Sequence, residues 1–186
     1  EVKSNFDSSG ELRPAKIAIV GRPNVGKSTI FNRLAGKKLA IVNDTPGVTR
    51  DIREVRSKLR GHSMVLMDTA GFENAKGHKI EAKMRAQTEL AVLDADIVLF
   101  VYDAREGVTP LDRNFAQYVR RSNKTTFLVA NKCESSAADA GITDGYSLGM
   151  GDPIEVAAEH NIGFGELDDA VELALRDVDL NIRDDN

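Results

Sequence analysis

Gly21-Arg22-Pro23-Asn24-Val25-Gly26-Lys27-Ser28 reads G-x-x-x-x-G-K-S. Lys16-Ile17-Ala18-Ile19-Val20 before it is a short apolar run of strand length. Ser28 to Leu34 after it carries Ile30, Phe31 and Leu34 at helical spacing. That context makes the stretch a Walker A loop. Its glycines let backbone N–H groups turn inward and approach phosphate oxygens without a Cβ in the way. The following helix aims the positive end of its dipole at the same anion. Lys27 can reach the β- and γ-phosphates, and the Ser28 hydroxyl suits Mg²⁺.

The 186 residues suffice for one domain with a full core, and 41% hydrophobic with 29% charged residues is ordinary for a globular chain. A formal net charge of -4 lends no support to a nucleic-acid surface on this domain. The single cysteine, Cys133, excludes an internal disulfide and fits a reducing compartment. No apolar run has the length of a membrane span. The expected location is the cytoplasm, with no membrane partner.

Working outward, residues 1–14 are polar and read as a flexible leader or expression remnant. The first helix should end near Gly36. The turn-rich stretch Asn43 to Asp51 follows, then an edge strand over Ile52–Leu59. Gly61-His62 turns it into a buried strand over Met64–Met67, which ends at Asp68-Thr69-Ala70-Gly71, a hairpin. A helix is expected over Ile80–Leu93, with Met84, Leu90 and Leu93 partly on one face. A central strand spans Ile97–Asp103, and a helix opens at Thr109-Pro110 and runs to about Arg121. Thr126–Ala130 is another buried strand. Residues 135–151 read as loop with a short helix around Gly145–Leu148, and Ile154–Val156 is the last strand. The last helix is expected over Phe164–Arg176, with Leu167, Val171 and Leu175 in one stripe. The domain is thus expected over residues 15–177, with 178–186 an acidic tail or linker. Alternating strands and helices predict an α/β fold of the P-loop NTPase type. Its sheet should be mostly parallel and six-stranded, with one antiparallel edge strand and helices on both faces. Ligands of such sheets bind beyond the carboxyl ends of the strands, where all these motifs lie.

Asp68 closes an apolar strand, and a carboxylate there needs a charged or hydrogen-bonded partner; Mg²⁺ is a natural one. Gly71 leaves its N–H free to approach a γ-phosphate. The Thr49 hydroxyl either completes the Mg²⁺ shell when that phosphate is present, as an order–disorder switch, or caps the next element. Asn131-Lys132-x-Glu134 is a base reader: a carboxylate accepts from guanine N1 and N2, whereas adenine offers a lone pair at N1. Such paired donors and acceptors discriminate by factors on the order of 10⁴. The expected nucleotides are therefore GTP and GDP.

These motifs, with Pro46-Gly47-Val48-Thr49-Arg50-Asp51 and Ala157-Ala158-Glu159, occur in one order. In that order the chain resembles the translation-factor-related GTPases, and specifically the EngA/Der family, over roughly Lys16 to Arg176. The resemblance implies a Ras-like G domain hydrolysing GTP slowly with Mg²⁺. It implies nucleotide contacts from Gly21, Arg22, Pro23, Asn24, Val25, Gly26, Lys27, Ser28, Thr29, Asp68, Gly71, Asn131, Lys132, Glu134, Ala157, Ala158 and Glu159. Catalytic roles fall on Lys27, Thr49 and Gly71, and Mg²⁺ on Ser28, Thr49 and Asp68. Members of that family carry two tandem GTPase domains and a KH-like domain, and act in assembly of the large ribosomal subunit in bacteria. The Asp44–Asp51 form resembles the first of the two GTPase domains, and argues against an Era-like or tRNA-modifying GTPase.

The chain departs from the family in two places. Glu134 stands where most GTPases have Asp, one methylene longer. Ala157-Ala158 stands where Ser-Ala is usual, so Ala158 keeps the N–H expected for guanine O6 while the bracing hydroxyl is lost. Ras-like enzymes orient the attacking water with a Gln after the Asp-x-x-Gly motif; here Phe72 and Glu73 follow Gly71. In related families an Asn at the Asn24 position helps hold potassium against the phosphates, so potassium stimulation is an expectation. The alternative is a domain that holds nucleotide with negligible turnover. His62, His78 and His160 have no partners at metal-ligand spacing, and Cys133 reads as inert.

Overall fold

The computed structural model describes residues 6, 10, 12–36, 52–69 and 77–184. Strand β1 (Ala15–Val20) leads through the glycine-rich loop into helix α1 (Lys27–Ala35). Strands β2 (Arg53–Leu59) and β3 (His62–Asp68) form the expected antiparallel hairpin. Helix α2 (His78–Asp94), β4 (Ile97–Asp103), α3 (Pro110–Arg121) and β5 (Thr125–Asn131) follow. Helix α4 (Asp139–Gly145), β6 (Ile154–Glu155) and α5 (Phe164–Asp184) complete the chain. The sheet order is β2-β3-β1-β4-β5-β6, parallel throughout except for the β2–β3 pair. This is the expected α/β sheet.

Every residue of β4 is buried, as its continuous apolar run demands of a strand covered on both faces. Side-chain alternation feeds two cores. Ile17, Ile19, Leu99 and Val101 join Ile30 and Phe31 of α1 and Leu167, Val171 and Leu175 of α5. Ala18, Val20, Phe100 and Tyr102 join Ala91 and Val92 of α2 and Phe115 and Val119 of α3. Helix α3 starts as its sequence dictates. The Thr109 side chain accepts from the Asp112 N–H, the Asp112 carboxylate accepts from the Thr109 N–H, and Pro110 opens the helix.

Four expectations are corrected. Of the α2 residues Met84, Leu90 and Leu93, only Met84 packs against the core. Leu90 and Leu93 are exposed, and the core side is Gln87, Thr88, Ala91 and Val92, whose small residues bring the helix close to the sheet. The short helix expected around Gly145–Leu148 is present as a 3-10 turn over Tyr146–Leu148, but the stretch before it, expected as loop, holds α4 and a 3-10 turn at Ser136–Ala138. The glycines of α4 are sites of close approach rather than loop signals. A Cβ on Gly141 would fall 1.7 Å from the Ala104 carbonyl oxygen, and one on Gly145 2.2 Å from the Tyr102 hydroxyl oxygen. The buried Tyr102 hydroxyl donates to the Gly141 carbonyl at 2.9 Å. Helix α5 does not stop at Arg176 but continues to Asp184, so residues 178–184 are helical rather than tail. No Gly or Pro follows Arg176, Val178 continues the Val171–Leu175 stripe against the core, and His62 pairs with Asp179 at 3.2 Å. The leader is anchored at its end: the Arg13 guanidinium pairs with Asp96 at 3.1 Å. Among the described residues no helix is long and apolar enough to cross a membrane.

Because β1, β3, β4 and β5 are parallel, their carboxyl ends share one rim. Register places Ile19 beside Asp68, Val20 beside Phe100, and Asp103 beside Asn131. The site is built on that rim.

Candidate nucleotide-binding site

The glycine-rich loop turns where only glycine fits. At Gly21, with φ +149°, a Cβ would fall 2.4 Å from the Val101 carbonyl oxygen. At Gly26, with φ +103°, it would fall 2.1 Å from Asn131 Nδ2. Gly26 caps α1, whose first turn closes through the Ile30 N–H to the Gly26 carbonyl at 3.1 Å. Val25 is fully buried and pins the loop to the core. Arg22 points away from the cavity, to Glu106 at 2.7 Å and Asp112 at 3.4 Å. Desolvation raises the Asp112 carboxyl above its usual range despite the Thr109 N–H and Arg22.

Lys27 is only 2% exposed, and its Nζ donates to the Arg22 carbonyl at 2.7 Å, across the mouth of its own loop. Beside it the Ser28 hydroxyl donates to Asp68 Oδ2 at 3.3 Å. Asp68 is fully buried. The Arg53 guanidinium bonds both, at 3.2 Å to Ser28 Oγ and 2.5 Å to Asp68 Oδ2, and lies over the Phe31 ring at 5.2 Å. The buried carboxylate and the hydroxyl thus already draw a cation between them. Two hard oxygens of this kind also fit Mg²⁺. The Thr69 hydroxyl ties the end of β3 to the Ile19 carbonyl at 3.0 Å.

Asn131 knits the two halves of the site. Its Nδ2 donates to the Val25 carbonyl at 2.8 Å, and its Oδ1 accepts from the Ala158 N–H at 3.0 Å. That N–H is the one expected to meet guanine O6, and here Asn131 engages it. With a serine hydroxyl absent, the 3-10 turn Ala158–His160 is held by Asn131 on one side and by Arg33 of α1 on the other. Arg33 donates to the carbonyls of Ala158 at 3.1 Å and Glu159 at 3.2 Å. Lys132, in the left-handed conformation, reaches the Asn24 carbonyl at 3.1 Å and the Asp103 carboxylate at 2.9 Å. Burial pushes the Asp103 carboxyl up, but Lys132 and the N–H groups of Glu106 and Arg105 outweigh it and hold it below the usual range.

These groups surround one cavity of about 260 Å³. Its lining includes the expected Asn24, Gly26, Lys27, Ser28, Thr29, Asn131, Lys132, Glu134, Ala158 and Glu159. Gly21, Arg22, Pro23, Val25 and Ala157 support the lining rather than form it, and Asp68 lies just behind Ser28. One lining residue, Arg105, was not singled out by the sequence. Asp103 at a strand end carried a usable signal, the one that exposed Asp68; Arg105 carried none. Thr49 and Gly71, with Phe72 and Glu73, lie outside the described residues.

Cys133 borders the base-reader loop, and its Sγ donates to the Ala130 carbonyl at 3.2 Å. Burial, with the Glu155 carboxylate adding, pushes its thiol up to about 11. Thiolate is the reacting species, so alkylation at pH 8 is expected to be about a hundredfold slower than for a free cysteine. Pseudo-first-order labelling with iodoacetamide measures this; a rate within threefold of the free amino acid contradicts it.

A phosphate-type loop between the first strand and helix, with an Asn-Lys reader on the same rim, defines a P-loop nucleotide-binding domain. The chain belongs to the 50S ribosome-binding GTPase family, whose model matches residues 16–132, more than half its length. It is 56% identical over 156 residues to GTPase Der of Parvibaculum lavamentivorans, covering 84% of this chain and 33% of that protein. With GTPase Der of Rhodopseudomonas palustris the identity is 50% over 168 residues, covering 90% and 36%. The EngA/Der resemblance is thus borne out, and the chain spans about a third of the length of these curated relatives. The crystal structure of Aquifex aeolicus Era bound to GDP and AlF4⁻ superposes with a TM-score of 0.65 at 26% identity, covering 89% of this chain and 57% of that one. The lower identity gives the Era-like alternative no better support.

Proposed function

We propose that the domain binds GTP and GDP with Mg²⁺, hydrolyses GTP slowly, and serves as a switch in assembly of the large ribosomal subunit. The observation that carries this is convergence. Residues from the loop after β1, the loop after β5 and the turn after β6 line one cavity, with Ser28 and Asp68 beside Lys27. Phosphates occupy the N-terminal end of α1, and Lys27 exchanges the Arg22 carbonyl for phosphate oxygen. Ser28 and Asp68 would hold Mg²⁺, which would neutralise charge on the β- and γ-phosphates. Arg53, which bonds both oxygens here, would give them up to the ion.

The purine lies between the Lys132 side and Arg105, with Glu134 accepting from guanine N1–H and the 2-amino group. Guanine O6 meets the Ala158 N–H, which exchanges Asn131 Oδ1 for it as Lys27 exchanges the Arg22 carbonyl. Thr49 and Gly71 respond to the γ-phosphate, and Asn24 with the neighbouring loop holds potassium. Apart from that of Arg105, which enters from the cavity lining, these roles rest on the sequence motifs. The domain runs from residue 15 to the end of α5, and is the first of two GTPase domains in a longer cytoplasmic protein with a KH-like domain. Ribosome contact belongs to the parts beyond this chain. The family membership and the greater length of the Der relatives support that reading.

Titration with GTP, GDP and ATP, followed by single-turnover hydrolysis in potassium or sodium at equal ionic strength, tests it. GTP and GDP should bind and ATP should not, with faster turnover in potassium. Equal affinity for ATP removes the base reader, and unchanged GTP over hours removes hydrolysis by this domain. Equal rates in the two salts remove the potassium role alone.

A further inference from the structure

The loop between β4 and α3 contributes an arginine to the cavity that none of the nucleotide motifs accounts for. Arg105 Nη1 lies 3.6 Å from Glu134 Oε1, and both residues line the cavity. Arg105 is itself fixed from below. Its N–H donates to Asp103 Oδ1 at 2.9 Å, the Glu106 N–H donates to the same oxygen at 3.2 Å, and the Gly107 N–H closes a turn on the Asp103 carbonyl at 2.9 Å. Asp103 in turn pairs with Lys132, two residues from Glu134. Four charges therefore alternate across the two loops: Asp103 with Lys132, then Arg105 with Glu134.

We infer that Arg105 is a positioning residue for base recognition, holding the Glu134 carboxylate where it can accept from guanine. The inference rests on the proposed reading of Glu134 as base reader. Its physical ground is the extra methylene. A glutamate has one more rotatable bond than the aspartate common at this place, and immobilising it costs more conformational entropy. A guanidinium standing over the carboxylate removes part of that cost before the nucleotide arrives. The carboxylate has about four lone-pair sites, so one contact with Arg105 leaves acceptors for both N1–H and the 2-amino group. Arg105 is 50% and Glu134 28% exposed on their side chains, and such a pair adds little to folding. Its consequence therefore shows in selectivity rather than in stability. Were Arg105 instead a competitor for the carboxylate, its removal would tighten guanine binding, the opposite sign.

The test is displacement of a fluorescent GDP analogue from the full chain by GDP and by IDP, which lacks the 2-amino group. Wild type, R105A, R105K and E134A are compared. The preference for GDP over IDP is expected to fall about fivefold in R105A and to recover mostly in R105K, with E134A losing it. A general loosening lowers both affinities and leaves their ratio alone. An unchanged or increased ratio in R105A, with the ratio lost in E134A, overturns the role of Arg105 and leaves the base reader standing. A ratio retained in E134A overturns the base reader itself, and the inference with it.

Discussion

Asn131→Ala is expected to lower the unfolding free energy by about 3 kcal/mol and to weaken GDP binding about a thousandfold. The side chain is 2% exposed and bonds one carbonyl and one N–H of two different loops. Removing it strands the Val25 carbonyl and the Ala158 N–H in a buried place, at about 1–3 kcal/mol each. The orientation of the amide follows from its partners: exchanging Oδ1 and Nδ2 would face donor with donor and acceptor with acceptor. Asn131→Asp therefore separates the two bonds. It keeps an acceptor for Ala158 but turns a carboxylate oxygen on the Val25 carbonyl, so it should destabilise as well. Urea melts and calorimetric GDP titration measure both effects. A variant with wild-type stability and only weakened binding would show that Asn131 serves the base alone and does not tie the loops together.

The same residue shows what a sequence can disclose. Asn-Lys-x-Glu after an apolar strand is legible because its meaning lies in neighbouring residues and in the strand that ends there. Gly21 to Ser28 is legible for the same reason: φ values near +103° and +149° and close backbone approach leave glycine no substitute, so the constraint is written in the residue types. The parallel order of the central strands follows from alternating strands and helices, and with it the shared rim. Contacts between distant segments are not written so. Arg33 braces a turn 125 positions away, and Arg53 reaches back 25 positions to Ser28; a lone arginine in a sequence looks like any solvated charge.

Glycine also has two meanings. Gly141 and Gly145 carry the residue type of a loop, yet they lie in a helix pressed against Ala104 and Tyr102. Only the strand behind them decides between the readings. Helix α5 is misjudged for a different reason. Its acidic residues after Arg176 suggest a tail, while Val178 alone continues the apolar stripe, and one half-buried position is a weak local signal. In each case the deciding interaction is with a surface that the local pattern does not contain.

Lys27→Met should produce the complementary result: nucleotide affinity reduced about a thousandfold with stability within about 1 kcal/mol of wild type. Methionine nearly matches the volume of the buried stem and spares the cost of burying an ammonium, which offsets the lost bond to the Arg22 carbonyl. The folded domain needs that bond little. On the proposed reading the nucleotide needs the charge, because the Lys27 ammonium, here on the Arg22 carbonyl, stands at the loop mouth where phosphate would bind. The loss should be larger for GTP than for GDP, since the ammonium reaches the γ-phosphate as well as the β. Calorimetry with both nucleotides, beside a urea melt, decides the matter. GTP affinity within threefold of wild type would mean that the Lys27 ammonium stays on Arg22 when nucleotide binds. The cavity would then have to take its ligand without the loop that defines it.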